Sequence, residues 1–251
     1  MSDCRKALIL AAGRGRRMNN LTDEKPKCFN RVGGKSLLAW QLDAIKGGGI
    51  EDIHVVTGYK AGMFSSIGLE CINNHDWATT NMVSSLLCAR TLFNEPLLVS
   101  YSDILYNHDI VRALTNSPHK AVVSYDTAWR KLWNQRFDEP LDDAESFRVE
   151  EDGTITDIGR RVNDIETING QYMGLMKFDE IALTHIVEWA VSQGENLAKT
   201  DMTTMLQGLI TEGFPVHGLA TNGNWCEVDS EKDLLLAEYL LKTDQLRLGN
   251  K

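Results

Sequence analysis

Short apolar runs alternate with longer amphipathic stretches through the first half of the chain. The apolar runs cover residues 6–11, 51–57 and 97–102 and have the length of strands, with helical periodicity between them. Strands that alternate with helices favour a parallel sheet, because a parallel pair needs a long crossover connection. The pattern therefore predicts an α/β fold.

Sequence signals mark the ends of two helices in this half. Ser36 can cap the first helix, and Gly47-Gly48-Gly49 can end it. A second helix is predicted from Asn81 to about Phe93. Both helices lie between predicted strands, as crossover connections require.

The pattern changes after residue 120. Residues 121–125 predict another strand, while residues 145–149 and 154–158 flank a turn in the manner of a β-hairpin. A predicted strand near residues 225–228 and a helix from Ser230 close the chain. We therefore expect a smaller, β-rich lobe beside the first sheet.

Charge and composition limit the partners. The 251 residues include 26 basic and 35 acidic side chains, a net charge of −9, which disfavours nucleic acid as a partner. No apolar run reaches the roughly 20 residues that span a bilayer, and the N-terminus lacks signal-peptide features. We therefore expect no membrane partner and a cytoplasmic location. The five cysteines are scattered and odd in number, which favours reduced thiols.

A glycine turn follows the first predicted strand, in the stretch LILAAGRGRRM at residues 8–18. Gly13 and Gly15 permit positive φ, so backbone N–H groups could surround phosphate oxygens, and the arginines add positive charge there. The stretch lacks the third glycine of a Rossmann fingerprint and the Gly-Lys-Ser/Thr ending of a P-loop. Taken alone, it predicts a phosphate site or a tight turn equally well.

A second basic segment, Lys25-Pro26-Lys27, follows closely. Pro26 restricts the backbone, so Lys27 could be a positioned cation, although a lone lysine is usually a solvated surface residue. Together the two segments resemble the signature of nucleotidyltransferases that join an NTP to a phosphorylated small molecule and release pyrophosphate. The matching residues are Leu10, Ala11, Ala12, Gly13, Gly15, Arg17, Pro26 and Lys27.

This resemblance implies a fold and a division of the chain. We expect a Rossmann-like three-layer sandwich with a mostly parallel central sheet and a small β-rich acceptor-binding lobe, as in GT-A-like nucleotidyltransferases. The single domain, residues 1–251, would comprise a nucleotide-binding part at about 1–120 and an acceptor lobe at about 121–225. A closing strand and helix would occupy about 226–251.

The resemblance also implies two metal-binding carboxylates. Asp103 follows the strand at 97–102, in a Tyr-Ser-Asp sequence where many relatives have Gly-Asp. Asp229 lies in the stretch WCEVDSEKDL, between a strand and a helix. Together they would hold Mg²⁺ against the triphosphate. Either residue alone would more often be a turn or capping aspartate.

The catalytic roles follow from the same resemblance. Arg17 and the amides of residues 12–15 would hold the β- and γ-phosphates, while Lys27 would contact the α-phosphate or the acceptor oxygen. Residues 81–85, 124–145 and 171–174 resemble segments of the cytidylyltransferases for phosphocholine and 2-aminoethylphosphonate, and this resemblance implies CTP. The residues alone do not choose cytosine over uracil. The expected nucleotide-binding residues are Leu10, Ala11, Ala12, Gly13, Arg14, Gly15, Tyr59, Asn81, Ser84 and Ser85.

The expected acceptor site combines aromatic and charged side chains. Aromatic faces and carboxylates would suit an ammonium group, and Arg136 would suit a phosphonate. Trp129 and Trp133 are four residues apart, so they could instead form one packed helix face. The favoured acceptor is 2-aminoethylphosphonate, then phosphocholine or phosphoethanolamine, then a sugar 1-phosphate. The expected acceptor residues are Tyr125, Asp126, Trp129, Trp133, Arg136, Glu139 and Tyr172.

Two other classes of protein remain open. A dinucleotide-dependent oxidoreductase would need a third glycine and an acidic residue after the second strand, where Gly58-Tyr59-Lys60 stands. A nucleotide sensor could keep the fold without catalysis, but the presence of both basic residues and both aspartates favours an enzyme. A homodimer is left open.

Overall fold

A computed structural model describes residues 4–249. The strands are β1 (Lys6–Ala11), β2 (Arg31–Val32), β3 (Lys35–Ser36), β4 (Asp52–Thr57), β5 (Glu70–Asn73), β6 (Leu97–Tyr101), β7 (Ile104–Leu105), β8 (Ala121–Asp126), β9 (Glu145–Val149), β10 (Ile155–Arg161), β11 (Gln171–Phe178), β12 (Val216–Thr221) and β13 (Cys226–Glu227). The helices are α1 (Leu37–Gly47), α2 (Met82–Cys88), α3 (His108–Asn116), α4 (Trp129–Arg136), α5 (Glu180–Ser192), α6 (Met202–Thr211) and α7 (Glu231–Lys242). Among the described helices, none is long and apolar enough to cross a membrane.

A seven-stranded sheet in the order β12-β8-β11-β6-β1-β4-β5 forms the centre of the molecule. Every neighbouring pair in it is parallel except those of β11, which runs antiparallel to β6 and β8. The strands β1, β4, β6 and β8 are buried along nearly their whole length. Because successive side chains point to opposite faces, helices must cover both faces. The expected three-layer, mostly parallel α/β fold is therefore confirmed.

The predicted N-termini of α1 and α7 are confirmed. The Ser36 hydroxyl accepts from the Ala39 N–H at 3.1 Å and caps α1, and the Ser230 and Asp233 side chains form a capping box on α7. The helix expected from Asn81 to Phe93 is shorter. It ends at Cys88, because Ala89 leaves the helical conformation (φ −93°, ψ 16°) before a separate 3₁₀ turn.

The strands after residue 120 extend the central sheet. β8, β11 and β12 belong to it, whereas β9 and β10 form a separate two-stranded hairpin and β13 pairs with β7. The hairpin packs mainly against α6 and adjoins β12, where the Gly218 N–H donates to the Gly153 carbonyl at 2.8 Å. The β-rich lobe is thus this hairpin, mounted on a sheet shared with the first half of the chain.

Candidate active site

The glycine turn begins where β1 ends, at an edge formed by the carboxyl ends of parallel strands. Gly15 has φ +72°, and a Cβ there would lie 2.9 Å from side-chain carbons of Lys27, so only glycine fits. Gly13 does not have positive φ, contrary to the expectation, but it has open space beside it. The first glycine therefore leaves room at the turn, and the second allows Lys27 to approach.

Lys27 lies beneath this turn and is almost completely buried. Its Nζ atom donates to Asp103 and to Asp229, the latter at 2.5 Å. Burial alone would lower the pKa of Lys27, but the charges of the two aspartates outweigh that effect and hold the pKa above its usual value. Lys27 is therefore a fixed, permanently charged cation rather than a solvated surface lysine.

A short antiparallel pairing brings the two aspartates together. β7 pairs with β13 immediately after Asp103, and the Val228 N–H donates to the Asp103 carbonyl at 2.8 Å. This pairing also brings in Glu227, which the sequence analysis missed. One carboxylate oxygen each of Asp103, Glu227 and Asp229 lies within 4.8 Å of the others.

The donor chemistry of this cluster fits a hard divalent cation. The Oδ1 atom of Asp103 is buried and has no hydrogen-bond partner among the described residues. Burial and the charge of Asp229 raise the pKa of Glu227 to about 8. Burial would also raise the pKa of Asp229, but Lys27 and Arg17 lower it to about 2. An unpaired buried oxygen beside crowded carboxylates is the environment that Mg²⁺ stabilises.

Arg17 stands at the solvent side of the cluster. Its Nη2 atom donates to Asp229 at 2.5 Å, and Nη1 lies 3.7 Å from Asp143, while 64% of the side chain remains exposed. Lys27 and Arg17 therefore contact different oxygens of Asp229, and Lys27 is buried whereas Arg17 is accessible to a ligand.

Two adjoining cavities open on either side of this cluster. The first, about 340 Å³, runs along the glycine turn and the start of α2. The second, about 330 Å³, lies between the β9–β10 hairpin and β13. We call them the turn cavity and the lobe cavity. Both are lined by Arg17, Asn81, Met82, Tyr101, Glu227 and Asp229.

Most of the expected nucleotide-binding residues line the turn cavity. They are Leu10, Ala12, Gly13, Gly15, Asn81 and Ser85. Sequence reasoning missed Arg16, Trp77, Thr80 and Met82 in the same lining. Arg16 is part of the quoted glycine stretch, whereas Trp77 and Thr80 belong to a loop that carries no motif.

The structure places the other four expected nucleotide-binding residues outside that lining. Ala11 is buried in the core. Arg14 pairs with Asp23 at 2.5 Å and lies over the Tyr59 ring. The Tyr59 N–H donates to the Ala12 carbonyl at 2.8 Å, so it supports the turn from behind. The Ser84 hydroxyl points instead to the Leu197 carbonyl.

Of the expected acceptor residues, Trp133 and Tyr172 line the lobe cavity. Tyr125 stacks on Phe147 with ring centroids 4.7 Å apart. Asp126 accepts hydrogen bonds from two backbone N–H groups and from the Trp225 indole, so it holds a loop. Trp129 is 1% exposed and packs edge-on against Trp133.

Glu139 and Arg136 are also outside the lobe cavity. Glu139 is exposed at the start of a 3₁₀ turn. Arg136 is buried behind the cluster, where it donates to Asp233 at 2.9 Å and to Glu227 at 2.7 Å. A guanidinium with these partners positions Glu227 and is not available to a phosphonate in the cavity.

The lobe cavity also contains side chains that no sequence motif predicted. Its additional aromatic residues are Tyr101 and Trp225, and its additional carboxylates are Asp143, Glu145 and Asp201. Burial raises the pKa of both Asp143 and Glu145. Counting Glu227 and Asp229, the lining of the lobe cavity contains five carboxylates and one arginine.

Known proteins are similar to this chain in sequence. The CTP:phosphoglutamine cytidylyltransferase of Campylobacter jejuni is 32% identical over 250 residues, which cover 91% of this chain and 97% of that protein. The CMP-5'-(3-aminopropyl)phosphonate synthase of Streptomyces rubellomurinus is 24% identical over 160 residues, covering 61% of this chain and 24% of that protein.

A solved structure has the same fold along nearly the whole chain. The CTP:phosphocholine cytidylyltransferase of Streptococcus pneumoniae superposes with a TM-score of 0.71 at 24% identity, covering 94% of this chain and 98% of that one. A family model for the MobA-like NTP transferase domain matches residues 7–153, the segment that contains the glycine turn, Lys27 and Asp103. With this match and the 32% identity over nearly its full length, the chain belongs to the family of MobA-like NTP transferases.

Proposed function

We propose that this protein is a cytidylyltransferase that transfers CMP from CTP to the phosphate or phosphonate of a small amine-bearing acceptor and releases pyrophosphate. The observation that carries the proposal is the junction of the two cavities. Arg17, Glu227 and Asp229 line both cavities, and Lys27 lies beneath them. Two anions bound from opposite sides would meet there beside two cations.

The turn cavity suits the nucleotide. The glycine turn at residues 12–15 offers backbone N–H groups and space beside Gly13, while Arg16 and Arg17 add positive charge. These groups would hold the β- and γ-phosphates, and the base would extend toward Asn81 and Trp77. CTP is favoured because three similar proteins are named for cytidylyl or CMP transfer.

In the reaction, an acceptor oxygen attacks the α-phosphorus in line with the leaving pyrophosphate. One P–O bond forms, the bond to the bridging β-phosphate oxygen breaks, and the displaced electron pair leaves with pyrophosphate. The acceptor oxygen is already ionised at neutral pH, so no general base is needed. Lys27 and Arg17 bring the two anions together and neutralise the charge that develops between them.

Mg²⁺ fits the carboxylate cluster. Asp103 and Asp229 would hold it with Glu227 beside them, and the ion, when bound, would neutralise triphosphate oxygens. Arg136 keeps Glu227 in place from behind.

The lobe cavity suits a cationic tail. Its volume of about 330 Å³ admits a small molecule. Asp143, Glu145 and Asp201 would attract an ammonium group, and the faces of Trp133 and Tyr172 would contact it. The favoured acceptor remains 2-aminoethylphosphonate. The four aromatic rings in the lining also favour phosphocholine as a second candidate, because quaternary ammonium groups bind in aromatic surroundings.

The test is pyrophosphate release with Mg²⁺, offering CTP, UTP, GTP and ATP against matched acceptors. We expect turnover with CTP and 2-aminoethylphosphonate, and a much lower rate with 2-hydroxyethylphosphonate, which differs only in its tail. Phosphocholine, phosphoethanolamine and phosphoglutamine identify the preferred amine. Equal rates with the amine and hydroxyl phosphonates, or turnover with glucose 1-phosphate alone, would contradict the proposed acceptor class.

A further inference from the structure

A buried asparagine, Asn74, connects two walls of the turn cavity without lining it. Asn74 is 3% exposed and follows β5, where its N–H donates to the Thr57 carbonyl at 2.8 Å. Its side-chain Nδ2 donates to Thr80 at 3.1 Å and to Ser85 at 3.0 Å. Thr80 and Ser85 both line the turn cavity, so Asn74 supports its polar side from behind.

The orientation of the Asn74 amide is fixed by a backbone group. The Asp76 N–H donates to Oδ1 at 3.0 Å, and a backbone N–H can only donate. The other end of the amide must therefore be the NH₂ group. It follows that the Thr80 and Ser85 hydroxyl oxygens both accept hydrogen bonds from Asn74.

A hydroxyl that accepts in this way must direct its own hydrogen elsewhere. Thr80 donates to the Asp76 carbonyl at 2.8 Å, so its hydrogen is occupied. The hydrogen of Ser85 pairs with no acceptor among residues 4–249, and Ser85 is 7% exposed on the cavity lining. Ser85 therefore presents a hydrogen-bond donor to whatever occupies the turn cavity.

We propose that Asn74 is a positioning residue for base selection, because it holds the Ser85 hydroxyl as a donor that favours cytosine over uracil. Cytosine presents two adjacent acceptors, O2 and N3, whereas N3 of uracil carries a hydrogen. A donor facing that position pairs with cytosine and leaves uracil with two opposed hydrogens. An unpaired buried donor is costly, so one such group discriminates between the bases. This inference rests on the proposed use of CTP.

The test replaces the NH₂ group of Asn74 with an oxygen, which can only accept, and measures the preference for CTP over UTP. In Asn74→Asp the side chain keeps its shape but only accepts, so Ser85 would donate to it and present lone pairs to the cavity. We expect the ratio of the UTP to the CTP dissociation constant, measured with Mg²⁺ and no acceptor, to fall about tenfold. Asn73→Asp, an exposed neighbour with the same change in charge, is the matched control and should keep the wild-type ratio.

Ser85→Ala is the second variant, because it leaves Asn74 and its backbone contacts in place. It should lose the same preference, and adding Asn74→Asp to it should change the ratio no further. A ratio in Asn74→Asp or Ser85→Ala equal to that of Asn73→Asp would overturn the inference while leaving CTP as the substrate. A wild-type protein without preference for CTP would overturn the proposed nucleotide as well.

Discussion

The two cavities are built in different ways. One side of the turn cavity is a single contiguous loop, the glycine turn, whose backbone conformation depends on Gly15 and on Lys27 beneath it. The lobe cavity is assembled from side chains of α4, β9, β11, α6 and the segment around β13. A site formed by the backbone of one loop requires particular residues at neighbouring positions, which are recognisable as a motif. A site formed by side chains can draw on residues that are far apart in the chain. The glycine-turn side of the turn cavity can therefore be predicted from sequence, whereas the lining of the lobe cavity cannot.

Lys27→Ala should have the largest effect, because the residue serves the junction of both cavities. We expect kcat to fall about 1,000-fold or more, since a fixed cation at the reacting phosphate is lost. The variant also leaves Asp103 and Asp229 without their buried partner, so its Tm should fall as well. Steady-state pyrophosphate release and thermal unfolding measure the two effects. Lys46→Ala, an exposed lysine on α1, is the control, and equal kinetics in the two variants would contradict the assigned role.

Gly15→Ala tests whether the backbone conformation of the glycine turn is needed for the use of CTP. The added Cβ would lie 2.9 Å from side-chain carbons of Lys27, so the loop or the lysine must shift. We expect kcat/KM for CTP to fall about 100-fold. Gly68→Ala has nearly the same φ, +70°, but open space around the new atom. It should cost about 1–2 kcal/mol of stability and leave turnover unchanged. Equal kcat/KM values in the two variants would mean that the loss of activity comes from backbone strain alone and not from the contact with Lys27.

Glu145→Gln tests whether the carboxylates of the lobe cavity bind the acceptor. Removing one carboxylate should raise the KM of an amine-bearing acceptor about tenfold and leave the KM of CTP within about twofold. Glu150→Gln, exposed beyond the end of β9, is the control. Parallel increases in both KM values would mean that the two cavities do not bind separate substrates.

Arg14→Ala should have the smallest effect. The side chain pairs with Asp23 at 2.5 Å and 39% of it is exposed, so it lies away from the turn cavity despite its place in the motif. We expect kcat/KM for CTP to change less than about threefold, as for a surface ion pair. Arg17→Ala, measured beside it, should lose far more activity. A loss in Arg14→Ala as large as that in Arg17→Ala would mean that the arginines of the turn act as one charged group.

The sequence predicted most of the fold and several of the residues that line the turn cavity. The strands at 6–11, 97–102 and 145–149, and the cap at Ser36, were readable because hydrophobic period and capping chemistry act over a few residues. Lys27 and Asp229 were found through a resemblance, and their contact at 2.5 Å became visible only in the structure.

The acceptor side could not be read in the same way. Arg136 has the chemistry of an anion ligand, but burial beside Glu227 and Asp233 gives it a structural task that no local pattern encodes. Asp201 also illustrates the limit, because its sequence signal is that of a helix cap. It does cap α6, and it lines the lobe cavity as well.

The two-residue pairing of β7 with β13 has a consequence for the synthesis of the protein. It joins residues 104–105 to residues 226–227, a longer sequence separation than that of any other strand pairing among the described residues. Contacts of such long sequence separation form late, since the loop-closure entropy must be overcome first. Because translation proceeds from the N-terminus, the glycine turn and strands β1, β4, β5 and β6 leave the ribosome well before Asp229 emerges. A nascent chain would thus acquire the glycine turn early, and the complete carboxylate cluster only after Asp229 has emerged.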